Sequence, residues 1–347
     1  MRWATFGVPG SGRSAGLRAV ACGSAADCVA VVGGLATQYD GEGWSPLKLI
    51  GPSTGTPILS GVACVGGQRC WAVGYEEAGD PLRLGQLLLA ERGGRWTTVA
   101  GPAVEGSELF GVTCLSPTSC WAVGAQVAAD GHQSTLIELW DGVSWSVVPS
   151  PNVPVRQHAV QYSALATGEL HSVTCVTADD CWAVGSTGQY LPASGSTLIE
   201  HWDGREWSIV PSAAKPLAYD VLVGVTCTAS TSCWAVGGAE YRGVDTYSAS
   251  GILEHWDGIR WVQWPLSAST GDPELLSVAC RGRSACWAFG DTLTFGDIRT
   301  RGHVVTLRWQ GSGWSRAPGP SGAVAGATCL PTSGCWAVGD RAWFSRS

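Results

Sequence analysis

The chain has 347 residues, of which 45% are hydrophobic and only 14% charged, with a net charge of −7; there is ample apolar material for a core, and a disordered polyampholyte is excluded. Lys48 and Lys215 are the only lysines, and no basic run could neutralise several phosphates at once, which excludes nucleic acid as a partner. No stretch approaches the roughly eighteen consecutive apolar residues that cross a bilayer as a helix, which excludes membrane insertion of this domain.

In chain order, the first element is the short apolar segment Arg2-Trp3-Ala-Thr-Phe-Gly-Val8. Seven cysteine pairs follow: Cys22 and Cys28, Cys64 and Cys70, Cys114 and Cys120, Cys175 and Cys181, Cys227 and Cys233, Cys280 and Cys286, and Cys329 and Cys335, each with five residues between. Around them one sentence recurs. Gly111-Val-Thr-Cys114 is followed by Cys120-Trp-Ala-Val-Gly124, then Leu136-Ile-Glu-Leu-Trp-Asp-Gly142 and Trp145-Ser-Val-Val-Pro149. The clearest further copies carry Glu200-His-Trp-Asp-Gly-Arg-Glu-Trp207 and Glu254-His-Trp-Asp-Gly-Ile-Arg-Trp261. Steps between first cysteines are 42, 50, 61, 52, 53 and 49 residues, so the chain is an array.

Each copy holds four strand-length segments separated by Gly, Pro, Ser, Asp or Asn, and no 3.6-residue period persists. Strand A ends at the first cysteine and B begins at the second; C ends in the Trp-Asp-Gly turn, and D carries Trp-Ser-x-Val. The turn glycine recurs as Gly41, Gly93, Gly142, Gly204, Gly258 and Gly311, usually after Asp, as a hairpin needing positive φ demands. Period, strand count and copy number predict an all-β fold, a seven-bladed β-propeller with four strands per blade.

The last copy stops after Ala342-Trp-Phe-Ser-Arg-Ser347 and lacks a D strand, while Trp3 matches the D-strand tryptophans Trp44, Trp96, Trp145, Trp207, Trp261 and Trp314. Residues 1–8 are therefore expected to complete blade 7, with a closing step of 40 residues against the shortest internal step of 42. Length alone would suggest two domains. The repeats instead predict one domain over 1–347.

If A and B form a hairpin with the cysteines opposed, their Cα atoms lie roughly 4.5–5.5 Å apart, within disulfide range. One disulfide per blade is expected, each closing a small loop. Zinc pairs sit closer in sequence and need histidines nearby, so neither a metal nor any other cofactor is expected. Disulfides at this density imply an extracellular or cell-surface setting, and since Met1-Arg2-Trp3 opens no apolar signal segment, a leader or anchor upstream of this sequence is expected.

Nineteen tryptophans are present, and seventeen occupy three repeat positions: after the second cysteine, in the Trp-Asp-Gly turn, and early in strand D. They read as packing between blades, with Trp264 and Trp343 outside the scheme. His201 and His255 recur in strand C and read as packing too. The face carrying the A to B and C to D turns is expected to be uniform. Recognition is expected on the other face, where the copies differ: Tyr75-Glu-Glu-Ala-Gly-Asp80, Gln189-Tyr-Leu-Pro192, Glu240-Tyr-Arg-Gly-Val-Asp-Thr-Tyr247, Asp297 to His303, and the long connection Pro151 to Leu170 with Arg156, His158 and Tyr162.

Six residues before the first cysteine stand Gly16, Ile58, Glu108, Glu169, Val221, Glu274 and Ala323, with Arg18 and His171 two positions further on. Strand A is innermost in a propeller, so these side chains should approach the channel mouth. There they could bind a cation, perform acid/base chemistry, or form a solvated rim. Candidate ligand-binding residues are thus Arg18, Glu108, Glu169, His171, Tyr190, Tyr241, Tyr247 and Glu274; Glu108, Glu169, His171 and Glu274 are the catalytic alternative. No G-x-S-x-G, H-E-x-x-H or P-loop occurs, and the paired cysteines leave no thiol nucleophile.

The sentence Cys-Trp-Ala-Val-Gly with Glu-His-Trp-Asp-Gly-x-x-Trp-Ser resembles that of secreted Cys-rich propeller repeat proteins of high-GC soil bacteria, over the whole chain; the resemblance implies no activity. The Trp-Asp-Gly-x-x-Trp-Ser unit is similar to the blade motif of bacterial and fungal propeller lectins, which bind sugars between blades. The sialidase Asp-box is one residue longer than Asp203-Gly-Arg-Glu-Trp207, and the kelch double glycine occurs only as Gly33-Gly34 and Gly237-Gly238. The expected function is a non-catalytic extracytoplasmic binding module, with carbohydrate or a cell-surface protein as partner. The alternatives are a polysaccharide lyase or glycoside hydrolase at the channel mouth, and a structural surface or filament subunit.

Overall fold

Alternating apolar residues bounded by turn formers give the same four-stranded antiparallel sheet seven times, and the strands of each sheet lie in the order A-B-C-D. The computed structural model describes residues 3–9, 16–52, 55–66, 69–79, 83–127, 132–152, 166–189, 194–214, 219–242, 247–266, 273–292 and 303–345. Among them there is no helix, and hence none long and apolar enough to cross a membrane. Blade 3 is representative: A is Ser107–Ser116, B Ser119–Val127, C Gln133–Trp140 and D Trp145–Val147. Blade 1 departs from it. Its D strand is split into a bridge at Trp44 and the pair Lys48–Leu49, because Pro46 has no N–H to continue the ladder.

Each strand A packs against strand A of the next blade, and that of blade 7 (Val324–Leu330) packs against that of blade 1 (Ala19–Ser24), which closes the ring. Trp3–Phe6 pairs with Ala342–Ser345 in the register Trp3↔Ser345 to Phe6↔Ala342, so the N-terminal strand completes the C-terminal blade as its tryptophan indicates.

All fourteen cysteines form the seven expected disulfides: Cys22 to Cys28, Cys64 to Cys70, Cys114 to Cys120, Cys175 to Cys181, Cys227 to Cys233, Cys280 to Cys286 and Cys329 to Cys335. Their Cα atoms are 3.9–4.1 Å apart, closer than a regular hairpin pair. The two ends of each bridge differ in a way the spacing does not display. Every strand A cysteine is half-buried, whereas every strand B cysteine is buried, because B lies between A and C and both its faces are covered by neighbouring blades. Cys28, Cys181, Cys233, Cys286 and Cys335 sit inside the apolar clusters between blades and border neither of the two cavities described below. These five are therefore core residues out of reach of a ligand, not parts of a binding site. Cys70 and Cys120, also buried, border the cleft between blades 2 and 3.

The hairpin aspartates are turn residues. Asp141 Oδ1 accepts the N–H groups of Val143 and Ser144 at 2.8 Å, and Gly142 takes φ 97°. Those bonds hold the exposed Asp141 carboxyl below its ordinary range, Ser144 contributing most.

Five of the seven blade junctions carry an aromatic triad, one ring from strand B and two from the C and D strands of the next blade; the 1/2 junction, with Val29 and Glu91 at two of these positions, and the 6/7 junction, with Ser345 at one, do not. Trp71 meets Trp140 and Trp145 at 4.8 and 5.0 Å, Trp121 meets Trp202 and Trp207 at 5.0 and 5.3 Å, and Trp182 meets Trp256 and Trp261 at 4.7 and 5.3 Å. The D-strand ring is the edge-on partner, at 81–86° in these three. The C-strand indole N–H donates to its own A to B turn, as Trp140 does to the Pro117 carbonyl at 3.1 Å. Such rings fill the outward-widening wedge, which explains their recurrence. His201 and His255 lie against Trp182 and Trp234 at 4.2 and 4.3 Å, as packing residues.

A second junction device is invisible as chemistry in the repeat sentence. The strand C glutamates Glu138, Glu200 and Glu254 are fully buried and face the preceding blade. Glu254 receives Ser212 Oγ at 2.6 Å and the N–H groups of Ala213 and Ala214 at 3.0 and 2.9 Å, and Glu200 receives Ser150 Oγ at 2.9 Å. Glu138 has no partner in bonding geometry, because Gly101 stands where Ser150 and Ser212 stand in the repeat. Burial pushes Glu138 up to about 7, with only the nearby Gln86 amide opposing, and Glu200 up to about 8 against Ser150.

Candidate functional site at the channel mouth

Six of the seven A strands carry a β-bulge at one repeat position, where the ladder skips Ser60, Phe110, His171, Val223, Leu276 or Ala325. A bulge re-aims the skipped side chain. Together with Arg18 of blade 1, these residues line the central channel, a cavity of about 220 Å³. The residue after each bulge must be small: a Cβ on Gly111 would lie 2.8 Å from the His171 carbonyl oxygen. Neighbouring strands therefore approach closely, and the channel is narrow.

At the mouth, three rings from blades 2, 3 and 4 follow one another. Tyr75 meets Phe110 edge-on at 6.4 Å, and Phe110 stacks on His171 at 5.3 Å and 29°. His171 Nε2 lies 3.2 Å from Glu169 Oε1, which also accepts Ser186 Oγ at 3.2 Å, while Gln133 Nε2 approaches Glu169 Oε2 at 3.5 Å. Glu169 is thus oriented by its neighbours. Burial raises the Glu108 carboxyl above its ordinary range, and the negative charges of Glu169 and then Glu77 raise it further. Tyr75 is raised by burial first and then by Glu108 and Glu77, with the Arg18 cation opposing. Glu77, Glu108 and Glu169 therefore share one field beside the three rings.

Glu274 belongs to another group. It pairs in register with Asp291, whose carboxyl is raised by burial, and its side chain lies over Gly238 of blade 5, where a Cβ would come 2.7 Å from Cγ. Arg18 is exposed, on the channel wall.

The variable loops are shorter than the sequence suggests. Tyr75 lies in Arg69–Ala78, and Tyr241 and Tyr247 lie in Ser232–Arg242 and Tyr247–Trp256, with Tyr241 opposite Ser248 and Tyr247 opposite Arg242. Aromatic and alternating residues extend the B to C ladder past the blade body. Tyr190, Arg156, His158, Tyr162 and residues 297–302 lie outside the described residues. Sequence reasoning placed Tyr75 and Glu77 in a recognition loop but not at the channel mouth, and it missed Phe110 and Ser186. Phe110 could have been found, because it holds the His171 position in the adjacent repeat.

Among the described residues no group of His, Cys, Asp or Glu side chains could hold a metal ion. The site can accept a cation through Glu77, Glu108 and Glu169 and an apolar or aromatic face through its rings. The His171–Glu169 pair could also move a proton.

No known protein family matches the chain, and no curated protein matches it. Solved propellers do. YCF48 bound to a D1 peptide superposes with a TM-score of 0.62 at 13% identity, covering 99% of this chain and 97% of that one. The GH74 xyloglucanase from Xanthomonas campestris gives 0.61 at 14% identity, this chain spanning 53% of that protein, and streptogramin B lyase gives 0.55 at 12% identity over 98% of its length. At these identities the likeness establishes a shared propeller fold, and proteins of that fold include a peptide-bound one and two named as enzymes.

Proposed function

We propose that this chain is an extracytoplasmic binding module that takes a segment of a cell-surface protein at the channel mouth, a cationic side chain reaching Glu77, Glu108 and Glu169 while an apolar face lies on Tyr75, Phe110 and His171. The observation that carries the reading is the partly buried carboxylate Glu108, raised by burial and by two like charges beside a run of three rings. A bound cation relieves that repulsion. The peptide bound to YCF48 supports a peptide ligand, and the seven disulfides fit an oxidising compartment.

The test is a peptide array and a glycan array on the oxidised protein. Cationic peptides should bind, with affinity that falls as salt rises, and Glu108→Gln with Glu169→Gln should weaken binding about tenfold or more. Binding should also fall as pH drops through the raised Glu108 pKa, because the carboxylate form is the acceptor. Selective retention of neutral glycans, or peptide binding unchanged in the double variant, would overturn the reading. The lyase or hydrolase reading keeps one observation, the His171–Glu169 pair at 3.2 Å. It requires turnover of a polysaccharide that His171→Ala abolishes.

A further inference from the structure

The turn-bearing face, uniform by repeat sequence, is interrupted between blades 2 and 3. A cleft of about 510 Å³ opens between blades 2 and 3, lined by Arg69, Trp71, Ala90, Arg92, Pro117 and Thr118 among others. One repeat position beside it stands out. Next to the strand B aromatic, on the face turned to the following blade, strand C carries Leu139, His201, His255, Arg308 or Phe344 in blades 3 to 7. His201, His255 and Phe344 lie 4.2–4.8 Å from their tryptophans, and the Arg308 guanidinium sits 5.2 Å over Trp287. In blade 2 the position is Ala90, opposite Trp71; both side chains stay buried, and the cleft lies against them.

The rim of this opening is cationic in a way no other blade repeats. Arg69 pairs directly with Arg92, and Arg92 with Arg95 across a two-residue Gly93-Gly94 turn with φ 63° and 81°. Register and the two-residue alternation put all three arginines on the face of Trp71 and Ala90. At the Arg92 position four other blades have the hairpin aspartates Asp40, Asp141, Asp203 and Asp257, and at the Arg69 position two have Asp27 and Asp180. The three arginines are exposed, and among the described residues none makes an ion pair. Like charges directly opposed across strands destabilise a sheet.

We propose that this cleft is a second binding site, for a small organic ligand that carries a carboxylate or phosphate. The anion lies between Arg69 and Arg92, which offer ten guanidinium donors in planar forks. The body rests on the exposed Pro117 and Thr118, beside the Trp71 edge. The volume is in the range of small-ligand pockets. This site is independent of the channel mouth and lies on the opposite face.

The experiment is calorimetric titration of the oxidised protein with digalacturonate, glucose 6-phosphate and neutral cellobiose. At least one anionic probe should bind with a Kd below about 1 mM, weakening with salt, while cellobiose does not bind. Which probe binds identifies the anion as carboxylate or phosphate. Arg69→Gln with Arg92→Gln, both exposed, and Ala90→Leu, which installs the side chain blade 3 already holds, should each weaken binding about tenfold or more. Failure of both anionic probes at about 10 mM, or equal binding by both variants and the parent, would overturn the proposal.

Discussion

The junction between blades 4 and 5 and that between blades 2 and 3 are built on the same backbone and the same three tryptophan positions, yet they differ in how the strand B tryptophan is covered and in how the buried glutamate is bonded. At the 4/5 junction His201 covers Trp182 and bonds Asp180 at 2.9 Å, and Glu254 takes three donors from the preceding blade's exit. At the 2/3 junction Ala90 leaves Trp71 beside a cleft, and Glu138 is buried without a bonded donor. The aromatic triad is common to these two junctions, whereas the 1/2 junction, with Val29 and Glu91 at two of its positions, closes on aliphatic residues instead. The covering side chain and the carboxylate's donors can be lost, and where they are lost the blade boundary becomes a place for something else to sit.

The largest effect should come from removing a triad ring. Trp182→Ala should lower stability by about 3–5 kcal/mol, and Trp71→Ala by less, since its ring already borders open space. Equal losses in urea unfolding would show that the cleft is closed in solution. Next is pH. With Glu138 at about 7 and Glu200 at about 8, both above the ordinary value of 4.5, the native state holds protons that the unfolded chain releases. Their contribution is fully present below about pH 4.5 and is lost as pH rises through 7 and 8, so the melting temperature should fall over that window. Glu138→Gln with Glu200→Gln should flatten the fall, recovering about 1–3 kcal/mol at pH 8; a flat parent profile by calorimetry would contradict the assignment. The smallest effect is Ala90→Leu, which fills the cleft and should raise stability by about 0.5–2 kcal/mol. A drop in melting temperature would mean that the opening cannot admit a leucine.

Much of the architecture was legible because it repeats. The cysteine spacing, the hairpin glycines and the displaced Trp3 each carry the same message seven or nearly seven times, and closure needed only the recognition that Trp3 belongs to the D-strand set. The site was less legible for the opposite reason. Arg18, Glu108, Glu169 and His171 could be placed near the channel from their distance to a cysteine, but the bulge that turns Phe110 and His171 inward depends on the A to B register, which no single copy displays. The separation of Glu274 from Glu108 and Glu169 follows from blade order around the ring rather than from spacing. Ala90 leaves no signal in the sequence because a missing side chain makes no motif, and the arginines of blade 2 stand out only once the register sets them in a row.

The pairing of Trp3 with Ser345 makes the first strand the partner of the last. Each disulfide spans a separation of six residues, so oxidation can proceed hairpin by hairpin as the chain emerges, with the native partner always nearest. Closure cannot. Until Ala342–Ser345 has been made, Trp3–Phe6 has no sheet to join, and blade 7 keeps an open edge able to pair with another molecule. A chain interrupted late in synthesis would thus be correctly cross-linked along its length and still be an open arc, its fate decided by whether its own N-terminus or a neighbour's reaches that edge first.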